Sequence, residues 1–503
     1  MNKPQADCAC QKLWGALGRQ YRADGLGLLY FFSVKSHRQR RLQRTSPPRT
    51  GDIPYNDAMS SFAADKKHGP ADSTSSALPA EPDDAAEGRN FLLLALSQIV
   101  MRCGWIFKTE SIIIPAVVDL IAGPGWIRGM LPILNRIGQS LPPLFYARTL
   151  KSMPQKKWSL CGTTLAMGVS FSMLAFCFVP PVRGAVDAIF PDWAVWPNVW
   201  ITVAFMVCYL LFFAATGLNQ IGFGTVQGKL VRVTKRGRLM LVANFVGAIA
   251  AIGFAAWLLP MWLTNDSAQV YWIFGFAGGA FLASAGVAAL LKERCDQSSH
   301  VKGTALELFH DAFSVLTEDR NFRRLAVVAA CFGCSLMLFP HYQALARDRL
   351  GAPLENLILW VIIQNGGTAA FSLLGGPLAD WKGNRLVLQL MMCGVFIMPL
   401  IAVVLIHTGP SGAVLFNWLF LLVGVTPVMF RGLSNYVLEI SPRSEHPRYL
   451  AALSLCVAAP MIASPAVGWA LDAVSYEAVF LTISAILFGG LLMTWTIDEP
   501  RHA

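Results

Sequence analysis

The stretch Leu357–Leu405, LILWVIIQNGGTAAFSLLGGPLADWKGNRLVLQLMMCGVFIMPLIAVVL, decides the fold. It holds two apolar runs of membrane-spanning length, separated by a short loop that carries Asp380, Lys382 and Arg385. A helix needs roughly 20 apolar residues to cross a bilayer, because every backbone N–H and C=O in lipid must be satisfied within its own segment. Outward from this pair the same unit recurs. Spans read at 91–121, 126–147, 158–181, 196–222, 238–262, 269–291, 324–346, 356–378, 386–407, 412–437, 447–471 and 474–496. The loops between them sort by charge. Arg148, Lys151, Lys156 and Lys157 follow the second span, and Lys229, Arg232, Lys235, Arg236 and Arg238 follow the fourth. Lys292 and Arg294 follow the sixth, Lys382 and Arg385 the eighth, Arg443 and Arg448 the tenth, whereas 265–269 and 407–413 hold no Lys or Arg. The loop Arg347–Glu355 fits this alternation least, although Asp348 and Glu355 offset its two arginines. Basic loops stay in the cytoplasm, so both termini are expected there. The reading is an all-α membrane protein of about twelve transmembrane helices.

Composition agrees, with 54% hydrophobic and 14% charged residues. The net charge of +11 would suit a nucleic-acid partner. Its bases, however, sit in the loops and the N-terminal tail, where orientation and anionic lipid account for them, so no nucleic acid is expected. Of eleven cysteines, eight fall inside spans. Cys331-Phe-Gly-Cys334 has redox spacing, but it lies in an apolar helix outside any βαβ context, and packing is the better reading. With neither a metal-ligand cluster nor a nucleophile pattern, no catalytic residue, metal or cofactor is expected, and the chain does not read as an enzyme.

Residues 1–89 belong to another physical class: basic over 1–50, then rich in Ser, Ala, Pro and acid. Such a tail buries too little apolar surface to offset its ordering entropy, and disorder is expected. Leu26–Val34 is too short to span and could lie on the membrane surface; alternatively translation starts at Met59. No cleavable signal peptide is read. The rest divides into six spans over 90–292, a hydrophilic connector at 293–322 with helical spacing of Leu306, Phe309, Phe313 and Leu316, six spans over 323–497, and a short tail at 498–503. The halves echo one another. Ser111-Ile-Ile-Ile-Pro115 answers Ser335-Leu-Met-Leu-Phe-Pro340, and Asn135 with Gln139 answers Gln364-Asn365. These echoes support two pseudo-symmetric six-helix bundles.

Gly375-Gly-Pro-Leu-Ala-Asp380-Trp-Lys-Gly383-Asn-Arg385 resembles the short-loop signature of the major facilitator superfamily (MFS). Gly376, Asp380, Gly383 and Arg385 match it in position, while Lys382 comes one place late. Glycine permits close helix approach and a tight turn, and the charges can latch onto a neighbouring helix end. The loop after the second span departs from the signature: it lacks the glycine pair and places Arg148 near the expected acid, which suggests a divergent branch. The resemblance covers 91–497 as topology and 375–385 as motif. It implies secondary-active transport of a small solute by rocking of the halves about a midplane site, with spans 1, 4, 7 and 10 lining the path. Pro115 and Pro340 are then the candidate hinges.

Ionisable side chains inside a span are costly and mark pathways. Arg102, Lys108 and Glu110 in span 1, Arg136 in span 2 and Arg431 in span 10 are therefore candidates for substrate or coupling, and their excess of base points to an anionic or zwitterionic solute. Lys108 and Glu110 read equally as an ion pair that fixes packing. On the transport reading, neutralising Arg102 or Glu110 should cost turnover and not folding. Glu110 and His341 are candidates for carrying a coupling proton, with uniport or another ion left open. Gln139, Gln364 and Asn365 can bond a solute or bridge helices. The expected protein is a monomer in a bacterial inner membrane, surrounded by lipid. The competing reading is a transporter-like receptor or assembly partner without solute flux.

Overall fold

The structure is a computed structural model that describes residues 84–189, 199–263, 269–295, 313–442 and 445–499. The tail before residue 84, the connector over 296–312, Arg443 and the side chains of Arg148, Lys151 and Asp380 lie outside the described residues.

Among the described residues, eleven helices are long and apolar enough to cross a membrane. A further helix, Gly125–Ser152, has the length but carries Arg128 and Arg136, which lower its hydropathy. Together they make twelve spans. In chain order the helices are α1 (Asp84–Phe107), α2 (Ile113–Ile121), α3 (Gly125–Ser152), α4 (Lys157–Phe178), α5 (Pro180–Ile189), α6 (Val199–Leu230), α7 (Val233–Trp262) and α8 (Val270–Ala289). The second half follows with α9 (Arg320–Leu350), α10 (Asn356–Lys382), α11 (Asn384–Leu405), α12 (Pro410–Val423), α13 (Thr426–Ile440), α14 (His446–Ala458), α15 (Ser464–Ala473) and α16 (Tyr476–Thr494). The first helix begins at Asp84, inside the stretch read as tail, because Glu87 is fully buried and accepts from the Arg232 N–H and from Lys235.

Three spans are interrupted. The first breaks between Phe107 and Ile113: Pro115 cannot donate to residue 111, and its ring crowds that carbonyl. The Thr109 carbonyl instead accepts from the N–H groups of Ile112, Ile113 and Ile114, and the helix restarts. The tenth breaks at Gly424, which lies against α10 so closely that a Cβ there would meet the Thr368 nitrogen at 2.5 Å. Its second part opens on Thr426-Pro427, a favourable helix start. The eleventh passes through a 3-10 turn, Ala459–Ala463. Pro340, by contrast, sits in an unbroken α9, so the two expected hinges are not equivalent.

Within the first half, α4 and α8 meet at Gly168 and Gly278, small residues that let backbones approach where lipid gives no hydrophobic drive. The core beside them is aromatic, with Phe171 edge-on to Phe212 at 4.6 Å and to Phe274 at 5.5 Å. In the second half Trp360 stacks on Phe420 at 4.6 Å and donates its Nε1–H to Asn417. Asp319 caps α9 by accepting from the N–H groups of Asn321 and Phe322. Asp319→Ala should cost about 0.5–2 kcal/mol, to be read as a lower denaturant midpoint of the purified protein.

Candidate functional site

The break in the first span carries Lys108, Thr109, Glu110 and Ser111 into the centre of the bundle. Lys108 is 1% exposed, with Nζ 3.5 Å over the Trp105 ring and 4.4 Å over Phe213, and it donates to Glu110 Oε1 at 2.6 Å. Glu110 also accepts from Asn135 on α3, and Gln139, one turn on, donates to Asn135 Oδ1 at 2.6 Å. Ser111 donates across to Gln364 on α10 at 2.6 Å, joining the two halves.

These groups border a cavity of about 170 Å³ between the halves. Glu110, Asn135, Arg136, Gln139 and Tyr209 form its polar wall from the first half, and Leu336, Phe339, Pro340 and Met461 its apolar wall from the second. The Arg136 guanidinium lies 5.3 Å from the Phe430 ring and has no hydrogen-bond or ion-pair partner among the described residues. The cavity wall thus carries one acid, Glu110, and one base, Arg136, with the Lys108 ammonium buried behind Glu110 and paired to it.

The end of the bundle opposite the basic loops is sealed by the crossing of α3 and α15. A Cβ on Gly468 would lie 2.2 Å from the Gly125 carbonyl oxygen, and one on Gly129 would lie 2.5 Å from that of Ser464. Asp472 accepts from the Gly125 N–H at 2.6 Å, and Ser464 donates to the Gly129 carbonyl at 2.6 Å. Beside them runs a buried polar chain. Asp119 on α2 pairs with Arg128 on α3 at 2.5 Å; Arg128 Nε donates to His341 Nδ1 at 2.9 Å; Gln343 donates to Asp119 at 2.6 Å; Tyr476 on α16 donates to Asp348 at 2.7 Å. At the basic end ion pairs tie the two ends of the connector to the adjoining halves, as in Lys229–Glu293 at 2.7 Å and Arg448–Glu318 at 2.7 Å.

Of the residues singled out from the sequence, Glu110, Arg136, Gln139 and Pro340 line the cavity. Lys108 does not; it turns into the aromatic wall and holds Glu110, the ion-pair alternative. Arg102 donates to Asn244 on α7 at 2.7 Å, nearer the basic end, and Arg431 donates to Ser372 on α10 at 2.9 Å. His341 is in the seal, fully buried. Gln364 bridges the halves through Ser111, while Asn365 bonds back to the Val361 carbonyl of its own helix. In the signature loop Gly383 takes φ +90° for the turn, and Arg385 donates to the Trp495 carbonyl at the end of α16. The close helix approach falls to Gly375, where a Cβ would meet Val428 at 3.2 Å; Gly376 has nothing within 4 Å. Pro115 stands in the first turn of α2, just past the break.

The sequence reading missed Asp119, Arg128, Tyr209, Gln343 and Tyr476. The rule that picked Arg102 and Glu110, an ionisable group inside a span, applies equally to Asp119 and Arg128. Both stand near span ends, and only the fold shows that they are buried there and paired.

No family model and no curated protein sequence matches this chain. Solved structures do. A mutant of the nucleoside transporter NupG aligns with a TM-score of 0.63 at 11% identity, over 81% of this chain and 100% of the other. A bacterial homologue of the iron transporter ferroportin in the inward-facing state gives 0.63 at 13% identity, over 81% and 98%. An outward-facing ferroportin homologue with soaked iron gives 0.54 at 14% identity, over 81% and 98%. This chain is a multi-pass all-α membrane protein with the fold of the major facilitator transporters.

Proposed function

We propose that the protein carries a small solute bearing an anionic group across its membrane by alternating access of the two halves to the central cavity. The observation that supports this most is Arg136. A guanidinium facing a cavity with the Glu110 carboxylate near it but neither hydrogen-bonded nor ion-paired to it keeps its donors open, and its planar fork suits carboxylate or phosphate. Glu110, Asn135 and Gln139 stand on the same wall and can take a donor at the other end of a zwitterion. At about 170 Å³ the cavity is below the roughly 300–1,000 Å³ of drug-sized pockets, which limits the solute to a small metabolite. Arg102 and Arg431, each bonded to neutral oxygens, add positive charge toward the basic end. Basic loops in the cytoplasm make the seal external and this state inward-facing, in line with the higher TM-score against the inward-facing ferroportin homologue. The solved neighbours' nucleosides and metals remain runner-up substrates on the analogy of fold alone.

The test is thermal unfolding of the detergent-purified protein across carboxylate, phosphate, neutral and cationic metabolites, followed by flux into liposomes. A ligand of the folded state at a hundred times its Kd adds about 2.7 kcal/mol, a readable shift. Anions should shift wild type, and Arg136→Gln should weaken them by about 2–5 kcal/mol. Shifts by cations or neutral solutes alone would overturn the anionic substrate. Anion binding without flux would favour a receptor.

A further inference from the structure

We infer that the external seal closes only when His341 is uncharged, so that acid on that side holds it open. A guanidinium can only donate, so the 2.9 Å contact from Arg128 Nε makes His341 Nδ1 an acceptor and puts the imidazole hydrogen on Nε2. That Nε2 is buried with no hydrogen-bond partner, and the whole side chain is 0% exposed. A second proton could go only to Nδ1. It would set two N–H donors and two positive charges against each other at 2.9 Å, away from water.

Among the described residues, the acids near that charge are already engaged. From α2, Asp119 is already engaged by Arg128 at 2.5 Å and by Gln343 at 2.6 Å. From α16, Tyr476 places its hydroxyl 3.4 Å from Arg128 Nη2 and gives its hydrogen to Asp348, while Glu477 pairs with Arg349 at 3.5 Å. From α15, Asp472 takes the Gly125 N–H. Arg347, on α9 itself, adds a further positive charge near Asp119. The outer part of α11 (395–405), α12 and the 3-10 turn contain no charged residue.

Arg128 belongs to the first half and His341 to the second, so parting of the halves separates them and wets both. A free imidazole titrates near about 6.5. The open state can therefore bind a proton that the closed state cannot. By linkage, closure is fully favoured above that value and weakens by about tenfold for each pH unit below it. The proton returns to the side it came from, so this is a gate that senses external acidity and does not itself carry the ion.

The inference rests on the alternating-access reading but not on the solute. Nitroxide labels at Leu120→Cys and Val474→Cys, exposed positions on opposite halves beside the seal, report its opening in liposomes of the full chain without ligand. Other cysteines that label are replaced by serine. The distance distribution should move to longer values between pH 8 and pH 5.5. His341→Asn, whose Oδ1 stands where Nδ1 accepts but cannot titrate, should stay closed across the range. A wild-type distribution that ignores pH overturns the proposal. So does a response retained in His341→Asn, which would assign it to Asp119 or Asp348. Failure of the anion shift leaves this measurement untouched, so the two ideas fall separately.

Discussion

Glu110→Gln should destabilise the protein by about 3–5 kcal/mol, while Lys108→Met should cost distinctly less. The asymmetry comes from where the two charges sit. Lys108 is 1% exposed and surrounded by the rings of Trp105, Phe212 and Phe213; Glu110 is 34% exposed on the wall of the cavity. Replacing the carboxylate with an amide leaves a buried ammonium without a counter-charge, held by one neutral oxygen and by π faces worth only about 0.5–2 kcal/mol each. Removing the ammonium leaves a carboxylate that Asn135 and cavity water can solvate. The double variant Lys108→Met/Glu110→Gln should recover most of the loss, a coupling that a double-mutant cycle measures directly. Detergent-denaturation midpoints of the four proteins decide the matter. Equal losses in both single variants would contradict the aromatic burial of Lys108. Such a loss of stability would run against the expectation, drawn from its position in a span, that neutralising Glu110 costs turnover and not folding.

Gly468→Val should break the seal. Its Cβ would fall 2.2 Å from the Gly125 carbonyl oxygen, a contact between two backbones that no rotamer change relieves. Overpacking costs of about 1–3 kcal/mol would shift the balance of sealed and open states by roughly five- to hundred-fold. Ser464→Cys reports this, since Ser464 is fully buried and bonded to the Gly129 carbonyl in the sealed state. A membrane-impermeant thiol reagent should react much faster with that cysteine when Gly468→Val is also present. Unchanged labelling would mean that α3 and α15 can accommodate the methyls by sliding, and the crossing would not be the seal.

Spans and loops were legible because lipid imposes a local rule: each segment must satisfy its own backbone, and charge excluded from it gathers in loops. Glu110 and Arg136 were legible for the same reason. What the rule cannot give is direction. Lys108 and Glu110 are two residues apart, yet one points into aromatic packing and the other into the cavity, because the helix between them is broken. Asn365 follows Gln364 directly, but only Gln364 reaches the other half. The seal was less legible still. Its strongest contacts are backbone against glycine at Gly125, Gly129 and Gly468, and these depend on which distant helix crosses there.

The unequal treatment of the two prolines has a consequence for the cycle. A duplicated chain with matching hinges would have mirror-image end states, each half bending as the other does, and no built-in preference between them. Here one copy is cut at its centre beside Pro115 while the other runs 31 residues unbroken through Pro340. The first span has a break at which it can bend, whereas the seventh, its counterpart, can only tilt as a rod. If the halves alternate as proposed, entry and exit are different physical events with different barriers, and an empty carrier rests with one door shut instead of dividing its time evenly between both.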